Sequence, residues 1–144
     1  MFRILLAEDN PGDVLLFREA LRSRNFQCEL VVAADGQQAI AMVRDMAGGG
    51  PRPHLIVLDV NLPKQNGDEV LRLIRLEPGL ARIPVVVLTS SSSPLDRATA
   101  DRLGASLYLQ KPSDLDGLYQ LGHILEDLLN TNGGDSILNP LRSD

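Results

Sequence analysis

Hydrophobic positions in this chain fall into short uninterrupted runs separated by longer amphipathic stretches. The runs are Phe2–Ala7, Cys28–Ala33, Leu55–Leu58, Val85–Leu88 and Ser106–Leu109. They begin about 20 to 30 residues apart, which is the length of one strand plus a crossover helix. Runs without polar alternation indicate strands that are buried on both faces, as in a parallel sheet. The pattern therefore predicts five strands, each followed by a helix.

The amphipathic stretches carry helix start signals. Asn10-Pro11, Asp35-Gly36 and Asn66-Gly67 lead into the first three helices with residues that are typical of helix N-termini. The fourth helix is predicted from about Pro94 to Leu103, and the fifth begins near Ser113. Apolar side chains at helical spacing are expected to face the sheet. In the first three helices and the fifth these are Val14, Phe17, Leu21, Ala39, Ile40, Val43, Val70, Leu73, Ile74, Leu118, Leu121, Leu125 and Leu128.

The end of the chain has a different composition. Residues from Asn130 onward, with Asn132-Gly133-Gly134, indicate a flexible tail. We therefore predict one domain over residues 1–130 and a C-terminal tail over residues 131–144. Five strand–helix units fit an open, doubly wound parallel sheet of the α/β class, because an eight-unit barrel needs about 250 residues. Right-handed crossovers in such a sheet place functional groups at the carboxyl ends of the strands.

Chemically active residues follow four of the five runs. Glu8 and Asp9 come after the first run, Asp59 after the third, Thr89 after the fourth and Lys111 after the fifth. The second run ends in two alanines and offers no such group. Three carboxylates, one hydroxyl and one ammonium are therefore expected to converge at one edge of the sheet.

This set of groups restricts the chemistry. Crowded carboxylates repel one another unless a cation or protons relieve them, and oxygen ligands without His or Cys suit Mg²⁺. A carboxylate can also act as a nucleophile that forms an aspartyl-phosphate. Phosphoryl transfer then needs positive charge and a donor on the phosphoryl oxygens, which the metal, Lys111 and Thr89 would supply. Asp59 stands alone at the end of the central strand and is the predicted nucleophile, while Glu8 and Asp9 form the metal clamp.

Composition excludes several other functions. The chain has 14 basic and 19 acidic residues, so its net charge of −5 argues against a nucleic acid or an anionic membrane as partner. Its single cysteine, Cys28, excludes an intrachain disulfide and suits the reducing cytoplasm. No segment approaches the ~18 uninterrupted apolar residues of a membrane span. His54 and His123 have no partner spacing for metal binding, and no glycine-rich phosphate loop is present.

Four segments resemble the response regulator receiver domain. They are EDNPGDVLLFREAL, LIVLDVNLPKQNGDEVL, IPVVVLTSSSS and LYLQKPSDLDGL, and the resemblance covers about residues 2–130. It implies a flavodoxin-like (βα)5 fold with strand order 2-1-3-4-5. It also implies that Asp59 is the phospho-acceptor and that Glu8 and Asp9 hold Mg²⁺, with the backbone carbonyl of Asn61 as a further ligand. Glu8 occupies a position where many relatives have Asp.

The resemblance assigns further roles near this site. Thr89 matches the switch hydroxyl, Tyr108 the switch aromatic, and Lys111 the phosphate-binding lysine, here followed by Pro112 in an expected cis peptide bond. Pro63 and Gly67 match the loop after the phospho-acceptor. On phosphorylation, Thr89 would move toward the new charge and Tyr108 would turn inward, which changes the surface around the fourth and fifth helices.

The resemblance implies a stand-alone regulator in the cytoplasm. The sequence is most similar to the small regulators of phytochrome-type histidine kinases, which would supply the phosphoryl group. Because no effector domain is expected in the last residues, its output would be docking onto a partner protein, also as a homodimer through the fourth-helix to fifth-helix face. It would catalyse only its own phosphotransfer and dephosphorylation, and would not be a turnover enzyme.

Two other classes of function remain open at this point. A Mg²⁺-dependent phosphohydrolase with an aspartyl intermediate usually has a second Asp two positions after the nucleophile, where this chain has Asn61. A non-catalytic interaction module would not need the complete set of Glu8, Asp9, Asp59, Thr89 and Lys111.

Overall fold

A computed structural model of the protein describes residues 2–25 and 27–135, with side chains described as far as residue 131. Strands and helices alternate along this part of the chain. They are β1 (Phe2–Ala7), α1 (Pro11–Ser23), β2 (Cys28–Ala33), α2 (Gly36–Ala47), β3 (Leu55–Leu58), α3 (Gly67–Leu76), β4 (Val85–Thr89), α4 (Pro94–Leu103), β5 (Leu107–Gln110) and α5 (Leu115–Asp135). A short 3₁₀ turn at Pro78–Leu80 precedes β4. The predicted alternation is confirmed, with β4 one residue longer and β5 shifted by one residue.

The five described strands form one parallel sheet in the order β2-β1-β3-β4-β5. The fold class and strand order expected from the resemblance are therefore confirmed. Strand register determines which residues meet at the carboxyl edge. Ala7 pairs with Leu58, so the residues that follow them, Glu8 and Asp59, leave the sheet side by side. Thr89 pairs with Gln110, which brings Lys111 to the same edge.

The described core has two hydrophobic clusters, one on each face of the sheet. Alternate strand residues such as Leu5, Ile56 and Val87 pack with α2 and α3 on one face. Their neighbours, such as Leu6, Val57 and Val86, pack with α1 and α5 on the other. Because both faces are covered, the central strands can be continuously apolar without exposing a hydrophobic surface. This arrangement confirms the doubly wound architecture.

Side-chain caps position the helices that border the site. Asn10 Oδ1 accepts hydrogen bonds from the backbone N–H groups of Gly12 and Asp13 at 2.8 and 3.1 Å. Asp35 and Asn66 cap α2 and α3 in the same way, as the sequence predicts. These bonds satisfy N–H groups that have no partner inside the helix, so the helices begin at defined residues.

Helix α5 is longer than the sequence predicts. It ends at Asp135, so residues 131–135 continue the helix, although they belong to the predicted tail. Asn and Gly lower intrinsic helix propensity, but α5 is anchored to the core by Leu125 and Leu129, and tertiary packing overrides propensity. The rest of the predicted tail, residues 136–144, lies outside the described residues. Within the described part, no helix combines the length and apolar character needed to cross a membrane.

The peptide bond before Pro112 is a second difference. The resemblance implies a cis bond there, but none of the described peptide bonds is cis. Xaa-Pro bonds favour the trans form by about 0.5–1 kcal/mol, so trans is the default unless the surroundings oppose it.

Candidate functional site

Two carboxylates are buried at the carboxyl edge of the sheet. The Glu8 N–H donates to the Ala33 carbonyl at 2.9 Å and the Asp59 N–H donates to the Ala7 carbonyl at 3.1 Å, so the sheet ladder holds both backbones. Glu8 is 4% exposed and Asp59 is 5% exposed. Asp9 is exposed at the mouth of the site, and one oxygen from each of the three carboxylates lies within 4.8 Å of the others. The predicted convergence of these three residues is confirmed.

This carboxylate cluster has the ligand chemistry of a hard divalent cation. It offers oxygen atoms alone, two of them from buried groups, and Mg²⁺ or a similar ion prefers carboxylate and water oxygen ligands. The pKa of Glu8 is raised above its ordinary value, mainly by burial. Hydrogen bonds from Lys111 and from the Asn10 backbone oppose this shift, whereas the charge of Asp59 adds to it. Glu8, Asp9 and Asp59 could therefore hold a metal ion.

Lys111 is the counter-charge of the cluster. Its backbone N–H donates to the Thr89 carbonyl at 2.8 Å, which fixes the loop between β5 and α5 against β4. Its Nζ lies 2.8 Å from Glu8 Oε1, 2.7 Å from Asp13 Oδ2 and 2.8 Å from Asp59 Oδ2. Burial would lower the pKa of Lys111, but the hydrogen bonds to Asp13, Asp59 and Glu8 outweigh it and raise the pKa above its ordinary value. The ammonium therefore stays charged at neutral pH.

The loop that follows Asp59 is tightly packed against it. The Asn61 N–H donates to Asp59 Oδ1 at 3.0 Å, while Lys111 donates to Oδ2, so each carboxylate oxygen has a donor. A Cβ at Gly67 would lie 2.3 Å from the Asp59 carbonyl oxygen, so a residue with a side chain does not fit at this position unless the loop shifts. The Pro63 carbonyl accepts from the Gly36 N–H at 3.0 Å and ties the loop to α2. Pro63 and Gly67 therefore shape the loop at the positions that the resemblance singles out.

Thr89 and Tyr108 meet through one residue of the loop between β4 and α4. Thr89 is fully buried, and its Oγ1 accepts from the Ser91 N–H at 3.2 Å. Half-buried Tyr108 donates through its hydroxyl to the Ser91 carbonyl at 3.4 Å, and the Arg97 guanidinium lies 5.7 Å from its ring centroid. Ser91 thus contacts both residues that the resemblance assigns to the switch.

Ser91 is itself held by α4. Its hydroxyl donates to Asp96 Oδ2 at 2.6 Å and accepts from the Ser93 N–H at 3.2 Å. The position of this loop therefore depends on the first turn of α4.

Sequence reasoning missed two of these residues. Asp13 contacts Lys111 but was not singled out, and its place in the first helical turn after the Glu8-Asp9 pair is the signal that could have found it. Asp96 likewise lies in the first turn of the helix after Thr89. Both histidines contact residues outside the carboxylate cluster: His54 Nδ1 accepts from the Arg3 N–H at 2.9 Å, and His123 Nε2 lies 3.5 Å from Asp127 Oδ2.

The fold and this edge of the sheet define a class of protein. The family model described as the response regulator receiver domain matches residues 4–122, and the chain belongs to that family. "Response regulator Rcp1" of Synechocystis sp. is 41% identical over 120 residues, which is 82% of either protein.

Two solved structures share the fold. The Mn(2+)-bound form of response regulator Rcp1 is 39% identical, with a TM-score of 0.78 over 88% of this chain and 93% of that one. The phosphorylated cyanobacterial phytochrome response regulator RcpA is also 39% identical, with a TM-score of 0.79 over 88% of this chain and 91% of that one. One of these relatives was thus solved with a divalent metal and the other in a phosphorylated state.

Proposed function

We propose that this receiver accepts a phosphoryl group on Asp59 and signals through the surface that this modification rearranges. The observation that carries the proposal is the contact of 2.8 Å between Lys111 Nζ and Asp59 Oδ2 inside a cluster of three carboxylates, two of which are buried. An ammonium in that place can balance the charge of a phosphoryl group on the aspartate, which is the electrostatic requirement of phosphoryl transfer.

The metal in this proposal is Mg²⁺, held by Glu8, Asp9 and Asp59 together with the backbone carbonyl of Asn61. When bound, it neutralises the carboxylates and stabilises negative charge on the phosphoryl oxygens. The Mn(2+)-bound form of Rcp1 supports binding of a divalent cation by this chain, because Mn²⁺ and Mg²⁺ both bind oxygen ligands.

Four residues of this chain have roles in the transfer of the phosphoryl group. An Asp59 carboxylate oxygen attacks the phosphorus of a phosphohistidine, the P–N bond breaks, and its electron pair stays with the imidazole of the donor. Lys111 donates to one phosphoryl oxygen and the Thr89 hydroxyl to another. Asn61 and Lys111 orient the carboxylate beforehand through their bonds to its two oxygens.

The switch follows from the contacts of Ser91. Once Thr89 donates to the phosphoryl group, its hydroxyl leaves the Ser91 N–H, and the space beside β4 admits the Tyr108 ring. This motion changes the surface formed by α4, β5 and α5, which would dock a downstream protein or a second copy of the chain.

The proposed donor is a histidine kinase of the phytochrome type. The names of Rcp1 and of the phytochrome response regulator RcpA, with 41% and 39% identity, support this partner. We place the protein in the cytoplasm. Such kinases transfer their phosphoryl groups there, and the Cys28 thiol stays reduced there. It acts on itself alone and does not turn over other substrates.

Intact-mass measurement after incubation with acetyl phosphate and Mg²⁺ tests this function. The wild-type protein should gain one phosphoryl group, and neither Asp59→Asn nor a sample with excess chelator should gain any. Asp116→Asn is the matched control, because Asp116 is exposed in the first turn of α5 and is not one of the three carboxylates of the cluster. Labelling of Asp59→Asn at the wild-type rate would disprove the assignment, and hydrolysis of ordinary phosphomonoesters would favour a phosphohydrolase.

A further inference from the structure

Asp13 is a charged residue that the proposed chemistry does not use, although it contacts the centre of the site. Its Oδ2 lies 2.7 Å from Lys111 Nζ, the shortest of the three contacts that this ammonium makes with carboxylates. Asp13 lies in the first turn of α1, and 98 residues separate it from Lys111. The contact therefore joins α1 to the loop between β5 and α5.

The hydrogen bonds of the Lys111 ammonium are fully used. An ammonium has three N–H donors, and here each faces one carboxylate: Glu8, Asp13 or Asp59. Two of these acceptors have other tasks during the proposed reaction, because Glu8 belongs to the metal cluster and Asp59 receives the phosphoryl group. Asp13 belongs to neither, since the cluster comprises Glu8, Asp9 and Asp59. Its bond to Lys111 is the one that the reaction leaves in place.

Both ends of the contact are fixed by the backbone. The Asp13 N–H donates to the Asn10 cap at 3.1 Å, and the Lys111 N–H donates to the Thr89 carbonyl at 2.8 Å. The flexible part between them is the lysine side chain, whose four-carbon stem loses much rotamer entropy when its ammonium is held. An acceptor that holds the ammonium before the reaction reduces the ordering that remains for the transition state.

We propose that Asp13 is a positioning residue that holds the Lys111 ammonium over the phosphorylation site while the metal and the phosphoryl group occupy its other two acceptors. This inference rests on the proposed function, because it gives Lys111 the phosphoryl oxygens as partners. Loss of the Asp13 carboxylate frees the ammonium, so phosphorylation of Asp59 should slow about tenfold, as expected when a reacting group loses its alignment.

A second explanation of Asp13 is purely structural. An acidic residue in the first turn of a helix interacts favourably with the helix dipole, whatever it contacts. Asp116 also lies in the first turn of its helix, α5, and is exposed, so Asp116→Ala removes a first-turn carboxylate that does not contact Lys111. Comparing Asp13→Ala with Asp116→Ala therefore separates the two explanations.

The lysine content of the chain provides a direct measurement. Lys64 and Lys111 are the two lysines of the sequence, so protein labelled with ¹⁵N-lysine gives two ammonium signals in NMR. The Lys111 side chain is 15% exposed and that of Lys64 is 59% exposed. Lys111 should therefore show protons protected from solvent exchange, and Lys64 serves as the internal reference.

The experiment combines both readouts on the full chain. In Asp13→Ala, exchange of the Lys111 ammonium protons should accelerate about tenfold with Lys64 unchanged, and labelling by acetyl phosphate with Mg²⁺ should slow about tenfold. In Asp116→Ala both quantities should equal those of the wild type. An unchanged Lys111 signal or an unchanged labelling rate in Asp13→Ala would overturn the inference and leave the proposed function standing. An unlabelled wild-type protein would instead overturn the proposed function.

Discussion

The two halves of the carboxyl edge are built with different kinds of bonds. On the side of β1 and β3, Lys111 makes three contacts of 2.7 to 2.8 Å with carboxylates, all charge-assisted. On the side of β4 and β5, Thr89 and Tyr108 each meet the Ser91 backbone through neutral bonds of 3.2 and 3.4 Å. The Lys111 ammonium is thus held by short charge-assisted bonds, whereas the two side chains that are expected to move are held by longer neutral bonds. The charge-assisted bond on their side, from the Ser91 hydroxyl to Asp96 at 2.6 Å, holds the loop between β4 and α4.

The two helices next to these halves, α3 and α4, differ in how much of their surface is buried. Helix α3 buries Gly67, Val70, Leu71 and Ile74, whereas Ala100 is the one residue of α4 that is fully covered. Burial of large aliphatic side chains contributes about 1.5–3 kcal/mol each, so α3 is held to the sheet far more firmly than α4. A displacement of Thr89 should therefore shift α4 at a small cost in packing energy. We call these two halves the chemical side and the switch side.

Removing the ammonium should have the largest effect on the chemical side. In Lys111→Ala, labelling of Asp59 by acetyl phosphate should slow at least about 100-fold, because the phosphoryl charge loses its balancing donor. The same variant should bind Mg²⁺ more tightly, since the ammonium no longer competes for Glu8 and Asp59. Isothermal titration with Mg²⁺ and the labelling rate measure the two effects. Weaker Mg²⁺ binding in this variant would contradict the proposed charge balance.

Adding a methyl group beside Asp59 tests how rigid the chemical side is. The Cβ in Gly67→Ala would lie 2.3 Å from the Asp59 carbonyl oxygen, so the loop must shift and stability should fall by about 1–3 kcal/mol. Gly48→Ala is the control, because its nearest neighbour, the Arg44 carbonyl oxygen, lies at 3.4 Å. Urea unfolding of both variants gives the comparison. Equal stabilities would show that the loop is looser than its packing indicates.

The smallest effect is expected on the switch side. Asp96→Ala removes the acceptor that lies 2.6 Å from the Ser91 hydroxyl and should lower the free energy of unfolding by about 1 kcal/mol. Amide hydrogen exchange should accelerate at Ser91 and Ser93 while the strands stay protected. Asp101→Ala on the same helix is the control, since Asp101 is exposed near the helix end. If exchange accelerated equally at Asn61 and Gly67, whose N–H groups bond to Asp59 Oδ1 and to the Val60 carbonyl, the two sides would not be separate units.

Much of this architecture was predictable from the sequence, because strand register converts positions along the chain into neighbours in space. Glu8, Asp59 and Lys111 each follow an apolar run, and parallel pairing brings such positions to one edge. The N-cap residues were equally clear, because Asn10, Asp35 and Asn66 act locally.

The sequence did not reveal the contacts between side chains that belong to different secondary-structure elements. Asp13 has the local pattern of a helix-dipole residue, and its contact with Lys111 exists only when α1 and the loop after β5 come together. The role of Ser91 between Thr89 and Tyr108 depends on tertiary structure in the same way. The end of α5 was predicted too early because a glycine pair lowers local helix propensity, whereas packing of the preceding turns determines whether the helix continues.

Locating the phosphoryl group tests the central claim most directly. The full chain is incubated with acetyl phosphate and Mg²⁺, the acyl phosphate is reduced with borohydride, and the modified residue is identified by tandem mass spectrometry. We predict homoserine at position 59 in place of aspartate, and no conversion at Glu8, Asp9 or Asp13. Conversion at one of those carboxylates, or a stable phosphate on a hydroxyl with Asp59 unmodified, would contradict the assignment.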